Sequence, residues 1–402
     1  MRYKWFGEIP EHWEATKMRE IFTDRNTKVS DKDYPALSVG YMGVVPQLDT
    51  AAKTNNGDNR KLICKGDFAI NSRSDRKGAG GISEYTGSAS IIITVLQPHE
   101  DINGKFYHYL LRSHYFSEEF YRNGHGLVAD LWTTRWDTMR NIYIPVPPRS
   151  EQDSIVRYLD EKCSRIDRLL EAYEREVKLL DELKKAAINE AVKGDWRRVR
   201  LKYIATLNPY CSHDGLKPED EVTFAPMECI RTDKRIDRSA PLANYNSSYS
   251  SFNEGDIALA KVTPCFQNSN VCLMTNLTNG YAFGSSELFN IRANSIHSKF
   301  LLYYFMSAAF IAGGVASMTG VAGLQRVSSE YIRNALVPVP PLSEQQAIAE
   351  YLDEKCGKID MAINLKRRHI KLWQEYKARL ISDVVTGQLD IRGVNDNGNR
   401  YE

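Results

Sequence analysis

From residue 155 onward, apolar side chains recur in alternating steps of four and three: Ile155, Leu159, Cys163, Ile166, Leu170, Tyr173, Val177 and Leu180, then Lys184, Ala187 and Ala191. A period near 3.5 residues marks the seam of a helix that packs against another helix, not the alternation of a strand. The seam returns 193 residues later as Ile348, Leu352, Cys356, Ile359, Ile363, Lys366, Ile370, Trp373, Lys377, Leu380 and Val384. Start and stop signals frame both copies. Pro147-Pro148 cannot continue a preceding helix, Ser150-Glu151-Gln152 offers an N-cap with negative charge in the first turn, and Gly194 offers a stop. Ser343-Glu344-Gln345 and Gly387 repeat the pattern. Each helix should hold about 43 residues and reach ~65 Å at 1.5 Å per residue.

The repeat is wider than the seam. Pro145-Val-Pro-Pro-Arg-Ser-Glu-Gln-Asp-Ser-Ile-Val-Arg-Tyr-Leu-Asp-Glu-Lys-Cys-Ser-Arg-Ile-Asp167 reappears from Pro338 to Asp360 with 16 of 23 positions identical. Fainter echoes include Trp13 to Ile21 against Trp196 to Ile204, Gly66-Asp67 against Gly255-Asp256, and Lys105 with Tyr109 against Lys299 with Tyr303. Each half is thus a variable globular segment followed by a long helix, an arrangement found by looking for repeats first. If the halves are related by a pseudo-twofold axis, the helices run antiparallel and carry a head at each end, as a ruler would. Lys184, Lys366 and Lys377 interrupt the apolar seam, either as register markers or as stems that snorkel out at its edge. Cys163 and Cys356 would then lie near opposite ends, with no disulfide between them.

The heads read as mixed α/β (α+β) segments. Leu62-Ile63, Phe68 to Ile70, Ser90 to Leu96, Val222 to Phe224, Ile257 to Leu259 and Val271 to Met274 have strand character between turn residues. Phe106 to Phe120 and Lys299 to Ala312 have helical spacing and are each expected as a single helix. The expected boundaries are a first head at 1–144, a first spacer helix at 145–195, a second head at 196–337, a second spacer helix at 338–387 and a C-terminal tail at 388–402, disordered from Gly393.

Composition narrows the classes. With 42% hydrophobic and 26% charged residues over 402 positions, a collagen-like, disordered or disulfide-scaffold chain is excluded, and two or three domains are expected. No apolar run reaches the ~18 residues of a membrane span, and the Met1-Arg-Tyr-Lys-Trp-Phe-Gly-Glu start lacks a signal-peptide core. A cytoplasmic protein with no membrane association is expected. Seven scattered cysteines without a Cys-x-x-Cys pair predict free thiols and no metal site. The net charge of +2 divides into +2 for 1–150, −3 for 151–195, +3 for 196–337 and 0 for 338–402, so any nucleic-acid partner belongs on the heads.

Two dissimilar heads, each followed by Pro-Val-Pro-Pro-x-Ser-Glu-Gln and a long helix, resemble the specificity subunit of type I restriction-modification systems, over nearly the whole chain. The resemblance implies that the heads are target recognition domains reading the two halves of a bipartite double-stranded DNA sequence. It implies that the helices fix the unread gap and that the chain has no catalytic activity or cofactor of its own. It also implies partners: two modification (methyltransferase) subunits, with restriction subunits in the full complex.

Base edges in the major groove are read by Arg or Lys at guanine and Asn or Gln at adenine. In the first head this points to Asn71, Ser72, Arg73, Arg76 and Lys77, in what looks like a movable Gly-rich loop after the Gly66-Asp67 strand. Its counterpart in the second head holds Lys261, Thr263, Gln267 and Asn268. Arg135, in Trp132-Thr-Thr-Arg135, and Gln325-Arg326 occupy equivalent places before each Pro-Val-Pro-Pro block and are second-rank candidates. The two loops differ in chemistry, so they should read different half-sites; solvated surface loops are the competing reading.

Enzyme signatures are weak. There is no phosphate-binding Gly-x4-Gly-Lys loop, and Asn208-Pro-Tyr210 is one proline short of the adenine-gripping tetrapeptide of amino-methyltransferases, so it reads as a turn. Asp160-Glu-Lys162 and Asp353-Glu-Lys355 have the form of a nuclease fragment, but they fall on the long helices and read as surface charge. Two other functions stay open. One is a non-DNA scaffold with two protein-binding heads, which would bind without the steep salt dependence of a DNA reader. The other is a DNA reader serving a solitary methyltransferase.

Overall fold

A computed structural model describes residues 5–48, 57–99, 102–126, 132–231, 236–246, 248–321 and 323–392. The tail expected to be disordered lies mostly outside these residues. The chain divides into two compact units, Met1–Ala172 with His369–Glu402 and Tyr173–Arg368. Each unit contains one head and a portion of both long helices, Arg149–Ala191 and Leu342–Val385, of 43 and 44 residues.

The repeated motif has a different chemistry at its start from the one its sequence suggests. Both helices begin at the residue after the second proline, so Ser150 and Ser343 lie inside the first turn and are not caps. The Pro148 carbonyl accepts from the Glu151 and Gln152 amides, and Pro341 accepts from Glu344 and Gln345. The glutamine does the joining. Gln152, 3% exposed, donates to the Pro147 carbonyl at 2.9 Å and accepts from the Asn103 amide at 3.0 Å. Gln345, 2% exposed, makes the same two bonds to Pro340 and His297, at 2.8 and 2.7 Å. About two turns later Asp160 accepts from Lys105 and Tyr109 at 2.5 and 2.7 Å, and Asp353 accepts from Lys299 and Tyr303 at the same distances. The Asp-Glu-Lys fragments are thus tethers between head and helix.

In the first unit an all-antiparallel sheet runs in the order Phe22–Asp24, Ile93–Pro98, Phe68–Asn71, Gly80–Ile82. A ladder of Glu14–Lys17 with Tyr143–Val146 leads into the proline motif. Further strands, Lys28–Val29, Arg60–Ile63 and Gly87–Ala89, and a hairpin of Leu37–Gly40 with Gly43–Pro46, complete the head. The last strand of the expected 90–96 segment starts only at Ile93, because Ser90 to Ile92 form a turn closed by the Ile93 amide on the Ser90 carbonyl. Phe22, Phe68, Phe106, Phe116 and Phe120 pack with Ile155, Leu159 and Ile166 of the first long helix and Leu380, Val384 and Val385 of the second.

The second unit repeats this frame: Ala205–Leu207, Leu288–Ala293, Ile257–Ala260, Val271–Leu273, with a ladder of Arg198–Arg200 and Leu336–Pro338. Its outer sheet differs, ordering Ser239–Pro241, Glu221–Ala225, Tyr281–Gly284 and Ser250–Asn253 around one parallel pair. Each expected single head helix is two. Ser113 separates Gly104–Arg112 from His114–Arg122 and accepts from the Phe116 amide; Ser307 precedes Ala308–Ala316, after Ser298–Phe305, and accepts from Phe310. A serine side chain that caps a new helix outcompetes continuation of the old one. Among the described residues no single helix is long and apolar enough to cross a membrane.

The Gly-Asp echo has a structural cause in both heads. Gly66 and Gly255 adopt φ of +91° and +86°, which the turn requires. The following Asp67 and Asp256, 2% and 1% exposed, form buried ion pairs with Arg25 and Arg292, each at 2.7 Å. They also accept the Cys64 and Asn253 amides.

Within each unit the long helices run antiparallel. In the first, Glu151 lies 4.0 Å from Arg392, just beyond the second helix, and Asp167 takes Lys377 at 2.6 Å. In the second, Glu176 takes Lys366 at 2.6 Å and Asp360 takes Lys184 at 2.7 Å. The seam lysines therefore mark register: Asp167 with Lys377 and Asp360 with Lys184 are the same pair in two copies. Ile155, Leu159, Ile166, Leu352, Ile359 and Ile363 are buried, whereas Leu170, Val177, Leu180, Ile348, Ile370 and Trp373 are half-buried. Cys163 and Cys356 are buried free thiols in different units.

The pair between Lys184 and Asp360 is shielded, with side chains 13% and 21% exposed. Lys184→Ala, which strands the aspartate, should lower stability by about 1–3 kcal/mol. Lys366→Ala, at a more open pair, should cost less than about 1 kcal/mol. Urea unfolding of the two variants checks the order, and exchanging Lys184 and Asp360 should recover most of the loss.

Candidate nucleic-acid interface

In the first head, two segments about 60 residues apart in sequence meet where the Phe68–Asn71 strand ends. Ser72, 4% exposed, donates its hydroxyl to the Ile92 carbonyl at 2.5 Å, and its own carbonyl accepts from the Thr134 amide at 2.8 Å. Arg73 forms an isolated β-bridge with Thr133. These bonds bring Ser72, Arg73 and Arg135 to one groove of about 870 Å³, which they share with Asp24, Asn26, Lys28, Lys61, Trp136 and Asp137. Arg73 is held by Asp75 at 3.2 Å. Arg135 and Lys28 are exposed and carry no ion pair among the described residues. Burial pushes the Lys61 ammonium down from its ordinary value, an effect that Asp24 opposes and Lys28 adds to.

The rest of the candidate loop turns elsewhere. Asn71 accepts from the Arg73 amide, Arg76 is exposed beside Asp75 at 3.7 Å, and Lys77 pairs with Glu118 while its ammonium lies 5.2 Å from the centre of the Tyr121 ring. Nor is the loop freely movable, since Gly80 and Gly81 are strand residues paired with Phe68–Asn71. A Cβ on Gly80 would come within 2.8 Å of the Ala69 carbonyl oxygen, so these glycines serve close packing.

The second head makes the same junction with different side chains. Val262 bridges Arg326, as Arg73 bridges Thr133. Thr263 donates to the Gly323 carbonyl at 2.9 Å and accepts from the Gln325 amide at 3.1 Å. Arg326 grips Glu287 through two nitrogens, at 2.9 and 2.5 Å. Lys261 donates to the Ser286 carbonyl at 2.8 Å and lies over the Phe289 ring; burial, the largest influence, pushes its ammonium down. Lys261 lines a groove of about 300 Å³ with Asn208, Ser248, Tyr249, Ser250, Ser251, Ser286 and Asn290, so this groove offers mostly amides and hydroxyls and a single cation where the first offers four. Asn208 is the turn its sequence suggested, at φ +51° with its side chain accepting from the Asn290 amide.

Gln267 and Asn268 do not join this group. Phe266, fully buried against Gly314, anchors the loop so that both side chains line a separate pocket with Lys185, Arg231 and Arg367. Lys28 and Lys61 were missed because only the fold pairs them, directly opposite each other on adjacent antiparallel strands. Like charges placed so are unfavourable unless an opposite charge lies near, and Asp24 in the same groove offsets only part of the effect that burial and Lys28 have together on Lys61. Among the described residues no group of three or more His, Cys, Asp or Glu could hold a metal ion.

Comparison with known proteins bears on this arrangement. A model of the type I restriction modification DNA specificity domain matches residues 235–366. The EcoAI type I restriction enzyme specificity subunit of Escherichia coli is 38% identical over 160 residues, covering 38% of this chain and 26% of that one. The corresponding EcoEI subunit is 34% identical, also over 38% of this chain and 26% of its own length. The match thus spans about a quarter of each of these two relatives. The MjaX specificity subunit of Methanocaldococcus jannaschii is 22% identical across 96% of both chains. The chain is similar to type I restriction-modification specificity subunits. Two solved structures share this fold. A chain from a study of assembly and conformational transition in the type I R-M system gives a TM-score of 0.73 at 16% identity, covering 95% of this chain and all of that one. The HsdS subunit from Thermoanaerobacter tengcongensis gives 0.51 at 17% identity, covering 95% and 98%.

The two groups of basic residues should separate in stability measurements. Lys77→Ala removes an inward ion pair and a cation–π contact and should cost the protein about 1 kcal/mol. Arg135→Ala, with nothing to lose in the fold, should stay within about 0.5 kcal/mol of the parent. Thermal unfolding of each variant checks this.

Proposed function

We propose that this chain reads a bipartite double-stranded DNA sequence for a type I restriction-modification complex. Each head contacts one half-site, and the antiparallel helices set the gap between the halves. The observation that carries the reading is the repeated groove: one backbone junction, built twice, with four cations in the first head and one cation, Lys261, among amides and hydroxyls in the second. A shared frame with exchanged side chains is what two different half-sites demand. Arg135 and Arg73 are proposed to reach base edges, Lys28 and Lys61 to meet phosphates, and Lys261, Thr263, Gln325 and Arg326 to serve the second half-site. Asn71, Ser72 and Arg76 support or flank the first groove, while Lys77, Gln267 and Asn268 are poorer candidates because they point away from the grooves.

The chain is further proposed to act without catalytic residues or a cofactor of its own, docking two modification subunits, with restriction subunits joining to cut. Co-expression with a neighbouring methyltransferase subunit in a methylation-free host, followed by genome-wide mapping of modified bases, tests the whole reading. One split motif with a fixed gap is expected, and replacing residues 196–337 should change one half of it only. Absence of methylation together with failure of the two proteins to co-purify would favour the protein-binding scaffold.

Residue roles separate by salt and sequence. Arg135→Ala should weaken target binding by about 1–3 kcal/mol and relax one position, while Lys28→Ala should weaken all sequences alike and reduce the salt slope by about 1. Fluorescence anisotropy with target and scrambled duplexes across a salt series checks both.

A further inference from the structure

The two units differ at one place where the repeat would make them alike. In the first unit the helix end at Gly387 packs on Trp13, and in the second the helix end at Gly194 packs on Trp196. In the second unit only Val192 to Asp195 connect helix to head, whereas in the first the two partners are far apart in sequence. The extra chain around that opening covers a site. Trp5 lies against Phe116, with ring centres 5.7 Å apart, and donates its indole N–H to the Tyr143 carbonyl at 2.8 Å. Phe6 is 2% exposed, and Gln388 holds the Phe6 and Glu8 carbonyls at 2.8 and 2.6 Å.

Among the described residues the corresponding site in the second unit has no such cover. Phe310, Leu336 and Val192 stand where the first unit has Phe116, Tyr143 and Val385, and with Tyr304, Tyr331 and Pro338 they line an open pocket of about 540 Å³. Ala308 and Ala309 are exposed on its rim. The Leu336 carbonyl already accepts from the Tyr304 hydroxyl at 3.1 Å, so an incoming ring need not donate. Two exposed cations, Lys193 and Arg198, also line the pocket, no acidic residue does, and neither cation has an ion pair among the described residues. By ladder register Arg198 replaces Ala15, so the positive charge is peculiar to this copy.

We propose that this pocket docks a partner protein through a segment bearing a Phe or Trp side chain followed closely by a carboxylate. The chemistry is that of Trp5-Phe6-Gly7-Glu8 in the first unit, with the acid now answered by Lys193 and Arg198. A second copy of the chain is the weaker occupant, because its own Trp5 is engaged at home. The interaction goes beyond DNA reading and does not depend on it.

The test uses the purified full chain and a fluorescein-labelled peptide, acetyl-Ser-Phe-Phe-Gly-Glu-Glu-amide, followed by anisotropy. Saturable binding is expected, weakened about tenfold or more by Ala309→Trp, which fills the pocket, and by serine in place of both peptide aromatics. Arg198→Glu, an exposed change that leaves the pocket walls intact, should weaken it several-fold, and more at low salt than at high. Absence of saturable binding at millimolar peptide, or binding indifferent to both Ala309→Trp and Arg198→Glu, overturns the proposal. So does self-association of the chain that Trp5→Ala abolishes, since the occupant would then be a second copy.

Discussion

The attachment of each head to a long helix rests on one buried glutamine. Gln152 and Gln345 each accept an amide from the start of a head helix and donate to a proline carbonyl between the preceding strand and the long helix. A buried amide side chain left with half its bonds costs more than it contributes when satisfied, so the two connections stand or fall together. Asp160 and Asp353, each held by a lysine and a tyrosine, add a second fixed point about two turns along. Two points along an axis define a direction, and so the grooves at the strand ends inherit a fixed orientation to their helix.

Much of this was legible in the chain. The 3.5-residue seam and its exact return after 193 residues identify two helices that need partners, and the seam lysines anticipate the Asp167–Lys377 and Asp360–Lys184 register pairs. What could not be read belongs to competition and distance. Ser113 and Ser307 sit inside apolar helical patterns, and whether such a serine caps or continues is settled by tertiary packing. Ser150 looks like a cap, but the proline carbonyl ahead of it already receives the first amides. The groove was half legible. Arg73 and Arg135 were singled out by residue type, yet Lys28 and Lys61 become neighbours only through strand pairing. Burial of Phe266, invisible to composition, turns Gln267 and Asn268 away.

The heads divide their sequence between frame and content. The Gly-Asp turn with its buried arginine partner, the four-stranded sheet order and the bridge to the segment before the proline motif are built twice. The outer strands and groove linings are not. A frame held by buried ion pairs and ladder hydrogen bonds tolerates exchange of the side chains it presents, because those side chains contribute little to the core.

The first unit is stitched from both ends of the chain, whereas the second is the uninterrupted stretch Tyr173–Arg368. During synthesis the order of appearance and the order of completion therefore differ. The first head emerges early, but Leu380, Val384 and Val385, which finish its core, are made after the whole second unit. Until then the apolar faces of Ile155, Leu159 and Ile166 lack their final cover, and a nascent chain must shelter them while the later-made half reaches its fold ahead of the earlier one.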